Sequence, residues 1–174
     1  MFDPTAFENM KVVLEGAVYD RDLSGEILVI DRNDLINTAK LSRRYEIQFR
    51  LNRQKDNTNT CTIMLHAGLE HMAAELLPSA LNDRLVGCML QIRFSAQHVN
   101  NRQVIEKLRA TVDEIWQGRS IQQTITFNPM KPSDLVTSEL TVDFNRLILE
   151  EQIDDLVDMV DYMLKTLARI PAII

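Results

Sequence analysis

The feature that most constrains the fold of this chain is a C-terminal run of apolar residues with helical spacing. Between positions 145 and 170 these residues recur at alternating steps of four and three, as in a helix that buries one stripe. They are Leu149, Ile153, Leu156, Val160, Met163, Leu167 and Ile170. Neither glycine nor proline interrupts the run before Pro171, which cannot continue a helix. The pattern predicts one long helix over about 145–170, with Asn145 as its N-cap.

The same helix carries apolar residues beside its main stripe, including Val157, Tyr162 and Leu164. One interpretation is that the helix only covers its own sheet. The other is that a second apolar flank meets a copy of the chain, because two-fold homodimers are the commonest assemblies. We expect both to hold, with one flank on the sheet and the other in a homodimer or against another protein. The expected interface residues are Leu149, Ile153, Leu156, Val157, Val160, Met163, Leu164 and Leu167.

Five segments alternate apolar and polar residues with the period of a half-buried strand. They are YEIQFRL, TCTIMLH, VGCMLQIRFS, IQQTITF and ELTVDF. A second long helix is predicted over about 100–117, capped by Asn100 or Asn101 and followed by Gly118, and a short one over 68–77. The pattern predicts an α+β fold, a mainly antiparallel sheet built from hairpins and covered by the two longer helices (about 100–117 and 145–170), with residues 1–174 as a single α+β domain.

The sequence pattern predicts the secondary structure of the first forty residues less clearly. Segment 11–20 alternates as a strand would, yet Met10, Val13, Leu14, Ala17 and Val18 would also form one face of a helix. We favour a strand, because a short link with Ser24 and Gly25 leads into the β-prone run EILVID and suggests a hairpin. Residues 32–42 suggest a short helix capped by Asn33.

Composition restricts the class of protein. The chain has 174 residues, is 45% apolar and 25% charged, and has a net charge of −6. These fractions are typical of a globular protein, and the negative charge disfavours nucleic acid as a partner. We expect no membrane span and no signal peptide, and therefore a cytoplasmic location. Cys61 and Cys88 lie in apolar strand patterns, where reduced cysteines act as small buried hydrophobes.

One loop resembles a calcium-binding EF-hand loop. Asp20, Asp22, Ser24 and Asp31 place oxygen side chains around Gly25, as hard cations require. The loop departs from the motif, however, since Asp31 stands where a bidentate glutamate is needed and no second loop of this kind follows. An ordinary turn, in which Asp and Ser bond to the backbone, is the favoured interpretation.

Basic residues concentrate around the first clear strand. Arg43, Arg44, Arg50 and Arg53 could bind an anion, because guanidinium groups pair bidentately with carboxylates and phosphates. The same residues could instead pair with the acidic face of the last helix, within one chain or between two chains, or face solvent.

No phosphate-binding glycine loop, nucleophile elbow or cofactor motif is present in the sequence. We therefore expect no cofactor and no catalytic residue. The sequence favours a non-enzymatic cytosolic protein that self-associates or docks a partner through its C-terminal helix. The alternative is a binding module for a divalent cation or an anionic small molecule.

Overall fold

The computed structural model describes residues 5–53, 58–76, 83–130 and 134–174. Over these residues the strands are β1 (Ile27–Asn37), β2 (Ser42–Leu51), β3 (Thr60–Ala67), β4 (Gly87–Val99), β5 (Ser120–Thr126) and β6 (Leu135–Leu149). The α-helices are α1 (Thr5–Leu23), α2 (Leu69–Ala74), α3 (Arg102–Ile115) and α4 (Ile153–Arg169). The strands form a sheet in the order β1-β2-β3-β4-β6-β5, and every neighbouring pair is antiparallel. The predicted α+β class is confirmed.

The alternation in the sequence determines which face of the sheet is buried. On β2, Tyr45, Ile47 and Phe49 are buried, whereas Glu46 and Gln48 between them are only partly covered. β3, β4 and β6 repeat this pattern, and their buried residues join one core cluster. We call the face toward this core the inner face and the opposite one the outer face. The strands predicted from the alternating segments YEIQFRL, TCTIMLH, VGCMLQIRFS and ELTVDF are therefore confirmed as β2, β3, β4 and β6.

Helices cover the inner face. Asn101 caps α3 by accepting a hydrogen bond from the backbone N–H of Gln103 (2.8 Å), and Gly118 follows the helix with a φ of +75°. α4 packs on α1, α3, β2 and β3, and it buries residues on the predicted stripe, among them Leu156, Val160 and Met163. The two predicted long helices are therefore present and contribute to the core.

The start predicted for the last helix is wrong. Strand β6 continues to Leu149, a 3₁₀ turn spans Glu150–Gln152, and α4 begins at Ile153. Ile148 lies opposite Cys88 in the sheet and is fully buried, so tertiary pairing keeps this segment extended. Asn145 has a φ of +49° inside β6 and does not cap the helix.

The strand predicted over 11–20, and with it the hairpin to EILVID, is also wrong. These residues belong to α1, whose buried residues Phe7, Met10, Leu14 and Val18 follow the helical spacing. The alternative helical face was therefore the correct one. Glu75, just after α2, accepts hydrogen bonds from the backbone N–H groups of Thr5 (2.8 Å) and Ala6 (2.9 Å), and a carboxylate at this position stabilises the helix N-terminus.

The short helix predicted over 32–42 is wrong as well. β1 runs to Asn37 and pairs with β2 along its whole length, so the strand register overrides the local signal. The Asn33 side chain bonds to Asp31 instead of capping a helix. At the end of β1, the Asn37 side chain accepts hydrogen bonds from the backbone N–H groups of Ala39 and Lys40 (both 3.1 Å). This Asx-type turn closes the β1–β2 hairpin.

Two smaller expectations concern the middle of the chain. α2 is shorter than predicted, since it covers Leu69–Ala74 and residues 77–82 are outside the described part of the chain. Cys61 and Cys88 are free and buried, as predicted. No helix in the described ranges has the length and apolar character needed to cross a membrane.

Candidate functional site

The register of the sheet gathers a mixed set of side chains on one part of the outer face. Arg44 lies opposite Leu35 on one side and His66 on the other, and His66 in turn lies opposite Met89. The next row across the sheet joins Glu46, Met64, Gln91 and Asp143 in the same way. Directly opposed residues on antiparallel strands place their side chains on the same face. Two neighbouring rows therefore combine thioether, cationic, imidazole, amide and carboxylate groups.

The turn of the β1–β2 hairpin forms a wall beside these rows, and together they enclose an open trough of about 1000 Å³. We call this the outer-face trough. Its lining includes Leu35, Ile36, Lys40, Arg44, Met64, His66, Met89, Gln91 and Asp143. The size is at the upper end of the range for ligand sites. Because the trough is open, it suits a ligand that remains attached to a larger body.

Positive charge stands at the hairpin side of the trough. The guanidinium group of Arg44 contacts the carboxylate of Glu46 at 2.9 Å, yet its side chain is 47% exposed. Lys40 is exposed in the turn. At the far side, Asp143 accepts hydrogen bonds from the side chain of Gln91 (3.4 Å) and from the backbone N–H of Asn145 (2.9 Å). The carboxylate of Asp143 is thus engaged, while the cationic side faces solvent.

His66 adds an uncharged polar group to the floor. Burial, the adjacent His71 and the positive charge of Arg44 lower the pKa of His66 below its ordinary value of 6.5. The imidazole is therefore neutral near neutral pH and can both donate and accept a hydrogen bond. Met64 and Met89 supply a flexible apolar surface that adapts to differently shaped side chains.

The structure does not bring the four predicted anion-binding arginines together. Arg43 is on the inner side, where it contacts Glu8 and Asp34 (both 2.9 Å) and stacks over Phe7. Arg44 and Arg50 are both on the outer face, but they are six positions apart along β2, which separates them by roughly 20 Å. Arg53 is in the turn after β2. Of the four, Arg44 lines the trough.

The predicted calcium ligands are also dispersed. Asp20 and Asp22 end α1, Ser24 is in the following turn, and Asp31 is on β1. Asp22 accepts a hydrogen bond from the backbone N–H of Val29 (3.1 Å), and the Ser24 hydroxyl donates one to the carbonyl of Arg21 (2.9 Å). These are turn contacts. In the part of the chain that the structure describes, no three His, Cys, Asp or Glu side chains are close enough to hold a metal ion.

Most of the predicted interface residues lie inside the chain. Leu156, Val160, Met163, Leu164 and Leu167 are buried against α1 and the sheet, and Leu149 and Ile153 are partly covered. Val157 is 42% exposed, and the nearby Tyr162 is 49% exposed. Any contact that a partner makes with this part of α4 must therefore use Val157, Tyr162 and the charged residues around them.

A buried Ser–His pair has no evident catalytic use. The ring Nε2 of His98 lies 2.7 Å from the hydroxyl of Ser138, and both residues are almost fully buried. The ring Nδ1 is 2.8 Å from the carbonyl oxygen of Val99, so it donates there and Nε2 accepts from Ser138. A backbone carbonyl orients the ring, and the serine is inaccessible to a substrate. The pair stabilises the end of β4.

Comparison with protein-family models, with curated proteins and with solved structures gave no match for this chain. Function must therefore be inferred from the residues themselves. The sequence pointed to Arg44 but missed Met64, His66 and Met89, because only the pairing of β2, β3 and β4 places them together. Their alternation with buried residues was the available signal, since it assigned all three to the outer face.

Proposed function

We propose that this chain is a non-enzymatic binding protein of the cytoplasm, and that its outer-face trough receives an acidic, apolar segment of another protein. The observation that carries the proposal is the row Leu35, Arg44, His66 and Met89, in which a guanidinium group and a neutral imidazole lie between two apolar side chains. A bound segment that carries a carboxylate together with leucine-like side chains can therefore place the carboxylate on Arg44 and the apolar groups on Leu35 and Met89.

The basic residues of the outer-face trough favour an acidic ligand. The chain carries a net charge of −6, yet Lys40 and Arg44 both line the trough. A carboxylate that approaches Arg44 can form a two-point hydrogen-bonded pair in place of the partly exposed contact with Glu46. Apolar residues of the segment would then cover Leu35, Ile36 and the two methionines.

The position of the trough favours a separate protein over a second copy of the chain. Helix α4 carries an acidic exposed face, but it packs against the inner face, whereas the trough is on the outer face. If α4 of one copy entered the trough of another, the contact would be heterologous and would build a ring or an open filament instead of a two-fold dimer. A distinct partner avoids this outcome.

The cytoplasmic part of the proposal is supported by the cysteines. Cys61 and Cys88 are the two cysteines of the chain, and both are free thiols in the core. Free buried thiols are typical of proteins from a reducing compartment.

Selection from a library of displayed random peptides tests the function. We expect enrichment of segments that combine Asp or Glu with Leu, Ile, Met or Phe. Synthetic copies should bind the wild-type chain and should bind the Arg44→Glu variant at least tenfold more weakly. Arg93→Glu is the matched control, because Arg93 is an exposed outer-face arginine outside the lining of the trough. Absence of enrichment, or peptides whose affinity is insensitive to Arg44→Glu, would refute the proposal.

A second candidate is a small anion bound by Lys40 and Arg44 alone, without an apolar segment. Titration calorimetry with inorganic phosphate distinguishes it from the first. Binding of phosphate at low millimolar concentration that Arg44→Glu abolishes, in a chain that selects no peptides, would favour the anion site.

Self-association through α4 is a third candidate that the exposed Val157 and Tyr162 support. It uses the opposite side of the molecule from the trough, so the two proposals are independent.

A further inference from the structure

A second cavity, of about 530 Å³, lies between the C-terminal end of α3, the region of β6 around Phe144 and the exposed side of α4. We call it the aromatic pocket. None of its lining residues belongs to the outer-face trough. Its volume falls within the range of small-molecule sites.

Aromatic rings form one wall of this pocket. The ring centroids of Trp116 and Phe144 are 6.2 Å apart, and those of Trp116 and Tyr162 are 5.9 Å apart. The indole N–H of Trp116 donates a hydrogen bond to the hydroxyl of Thr166 (3.1 Å), which fixes the ring in place. Tyr162 is about half exposed, so part of its ring is available to a ligand. In this wall, Trp116 is therefore held in a fixed position, whereas Tyr162 is accessible from solvent.

Charges of both signs line the pocket: α4 contributes Asp155, Asp158 and Lys165, whereas α3, the segment after it and β6 contribute Glu114, Arg119 and Arg146. Asp155 and Asp158 come from α4, with Tyr162 four residues after Asp158 on the same helical face. Arg119 comes from the segment after α3, and its guanidinium carbon lies 4.5 Å from the centroid of Phe144. Stacking on the ring leaves the edge of the guanidinium group, which carries its N–H donors, free to meet an anion.

Two unusual backbone conformations place these groups. Gly118 has a φ of +75° and turns the chain after α3, immediately before Arg119. Asn145 has a φ of +49°, in the left-handed region that few non-glycine residues adopt, and it separates Phe144 from Arg146, both of which line the pocket. The pairing of β4 with β6 is irregular at this point. Strained residues and bulges concentrate at functional sites, and here both flank the same cavity.

We propose that the aromatic pocket binds a small zwitterion with an aromatic body. The ammonium group of the ligand meets Asp155 and Asp158, its carboxylate meets Arg119, and its ring packs against the exposed part of Tyr162, next to the buried Trp116. An aromatic amino acid and a short peptide that ends in one share this chemistry. The pocket thus adds a small-molecule site to a chain whose proposed function rests on a different surface.

The single tryptophan of the chain makes the proposal directly testable, because Trp116 lines the pocket and its emission reports on the site without a label. The probes are phenylalanine, the dipeptide glycylphenylalanine, phenylalanine amide and 3-phenylpropionate. The last two lack the carboxylate and the ammonium group respectively. We expect a saturable change in emission with phenylalanine or with the dipeptide, and the better of the two identifies the source of the zwitterion. We expect at least tenfold weaker binding of the two probes that lack one charge.

A variant that removes one charge from the pocket tests whether Asp158 binds the ammonium group of the ligand. Asp158→Asn should weaken the binding of the zwitterion at least tenfold but leave the weak binding of 3-phenylpropionate unchanged. Asp154→Asn is the control, because Asp154 is an exposed aspartate of α4 outside the pocket lining. Thermal denaturation of both variants in the absence of probe checks that each is folded. A linear, non-saturating change with both zwitterions, or equal responses to all four probes, would overturn the proposal and would leave the trough unaffected.

Discussion

Arg43 and Asp34 are joined at two points across the β1–β2 hairpin. Nη2 of Arg43 lies 2.9 Å from Oδ2 of Asp34, and Nε lies 3.2 Å from Oδ1. Lys11 of α1 contacts the same carboxylate at 2.9 Å. Asp34 therefore connects the first helix to the edge of the sheet, and its ionisation should contribute to stability.

The first prediction concerns the pH dependence of this contact. Burial alone would raise the pKa of Asp34, but the hydrogen bonds and charges of Arg43 and Lys11 outweigh it and hold the pKa below the ordinary value of 3.8. A lowered pKa means that the stabilisation is present above the ordinary value and is lost as the pH falls through the folded-state pKa. We expect Asp34→Asn to lower the free energy of unfolding by about 1 kcal/mol near neutral pH.

Urea unfolding of the wild type and of Asp34→Asn, followed from neutral pH to acid, measures this effect. The free energies of unfolding of the two proteins should become equal at acid pH, because the wild type there loses the charge that the variant lacks. Asp31→Asn is the control, since Asp31 is on the same strand and bonds to Asn33. If the free energies of unfolding of the wild type and of Asp34→Asn differ by the same amount at every pH, the ionised Asp34 does not stabilise the fold.

The second prediction uses two glycines with opposite surroundings. A Cβ atom at Gly87 would lie 2.4 Å from the carbonyl oxygen of Ile148, where β4 pairs with β6, whereas a Cβ at Gly16 of α1 would meet nothing within 4 Å. We expect Gly87→Ala to lower the free energy of unfolding by roughly 1–3 kcal/mol through overpacking. Gly16→Ala should raise it by about 0.5–1 kcal/mol, because alanine favours a helix. Urea unfolding measures both, and a stable Gly87→Ala chain would mean that β4 and β6 are paired differently.

The third prediction concerns the two thiols. Burial raises the pKa of Cys61, while burial and the charge of Glu75 raise the pKa of Cys88 to about 12. Because the thiolate is the reactive form, we expect neither residue of the native chain to react measurably with a disulfide reagent at neutral pH. Both should react in urea. Rapid labelling of one thiol without denaturant would show that its strand opens locally.

The sequence predicts well those strands and helices that bury one face and expose the other. Residues such as Ile47 on β2 and Ile63 on β3 alternate with polar neighbours, and that period defines both the strand and its inward face. α3 was equally clear because a capping asparagine, an apolar stripe and a terminal glycine agree. Local signals suffice when all of them favour the same structure.

The prediction fails where tertiary contacts choose between two acceptable local structures. Residues 11–20 fit a strand or a helix, and the packing of Leu14 and Val18 in the core decides for α1. Residues 145–149 fit the last helix, but pairing with β4 keeps them in β6. The trough and the aromatic pocket were beyond prediction for the same reason, because both depend on residues brought together across strands or between α3 and α4.

The fourth prediction separates the two roles assigned to the last helix. Leu156 is fully buried and Val157, its neighbour, is substantially exposed. We expect Leu156→Ala to lower the free energy of unfolding by about 2–5 kcal/mol, as for other buried leucines, and Val157→Ala to change it by less than about 0.5 kcal/mol. Urea unfolding of the two variants gives both values.

Because the side chain of Val157 is exposed, this residue also supplies a test of self-association. A lysine at this position places a charge in any contact between two α4 helices but leaves the core intact. If the chain dimerises through α4, light scattering at high micromolar concentration should give the mass of a dimer for the wild type and of a monomer for Val157→Lys, with unchanged unfolding. Lys165→Glu, at another exposed position of α4, reports whether any charge change on this helix has the same effect. A wild-type chain that stays monomeric at this concentration would remove α4 as a homodimer interface and leave the outer-face trough as the surface for a protein partner.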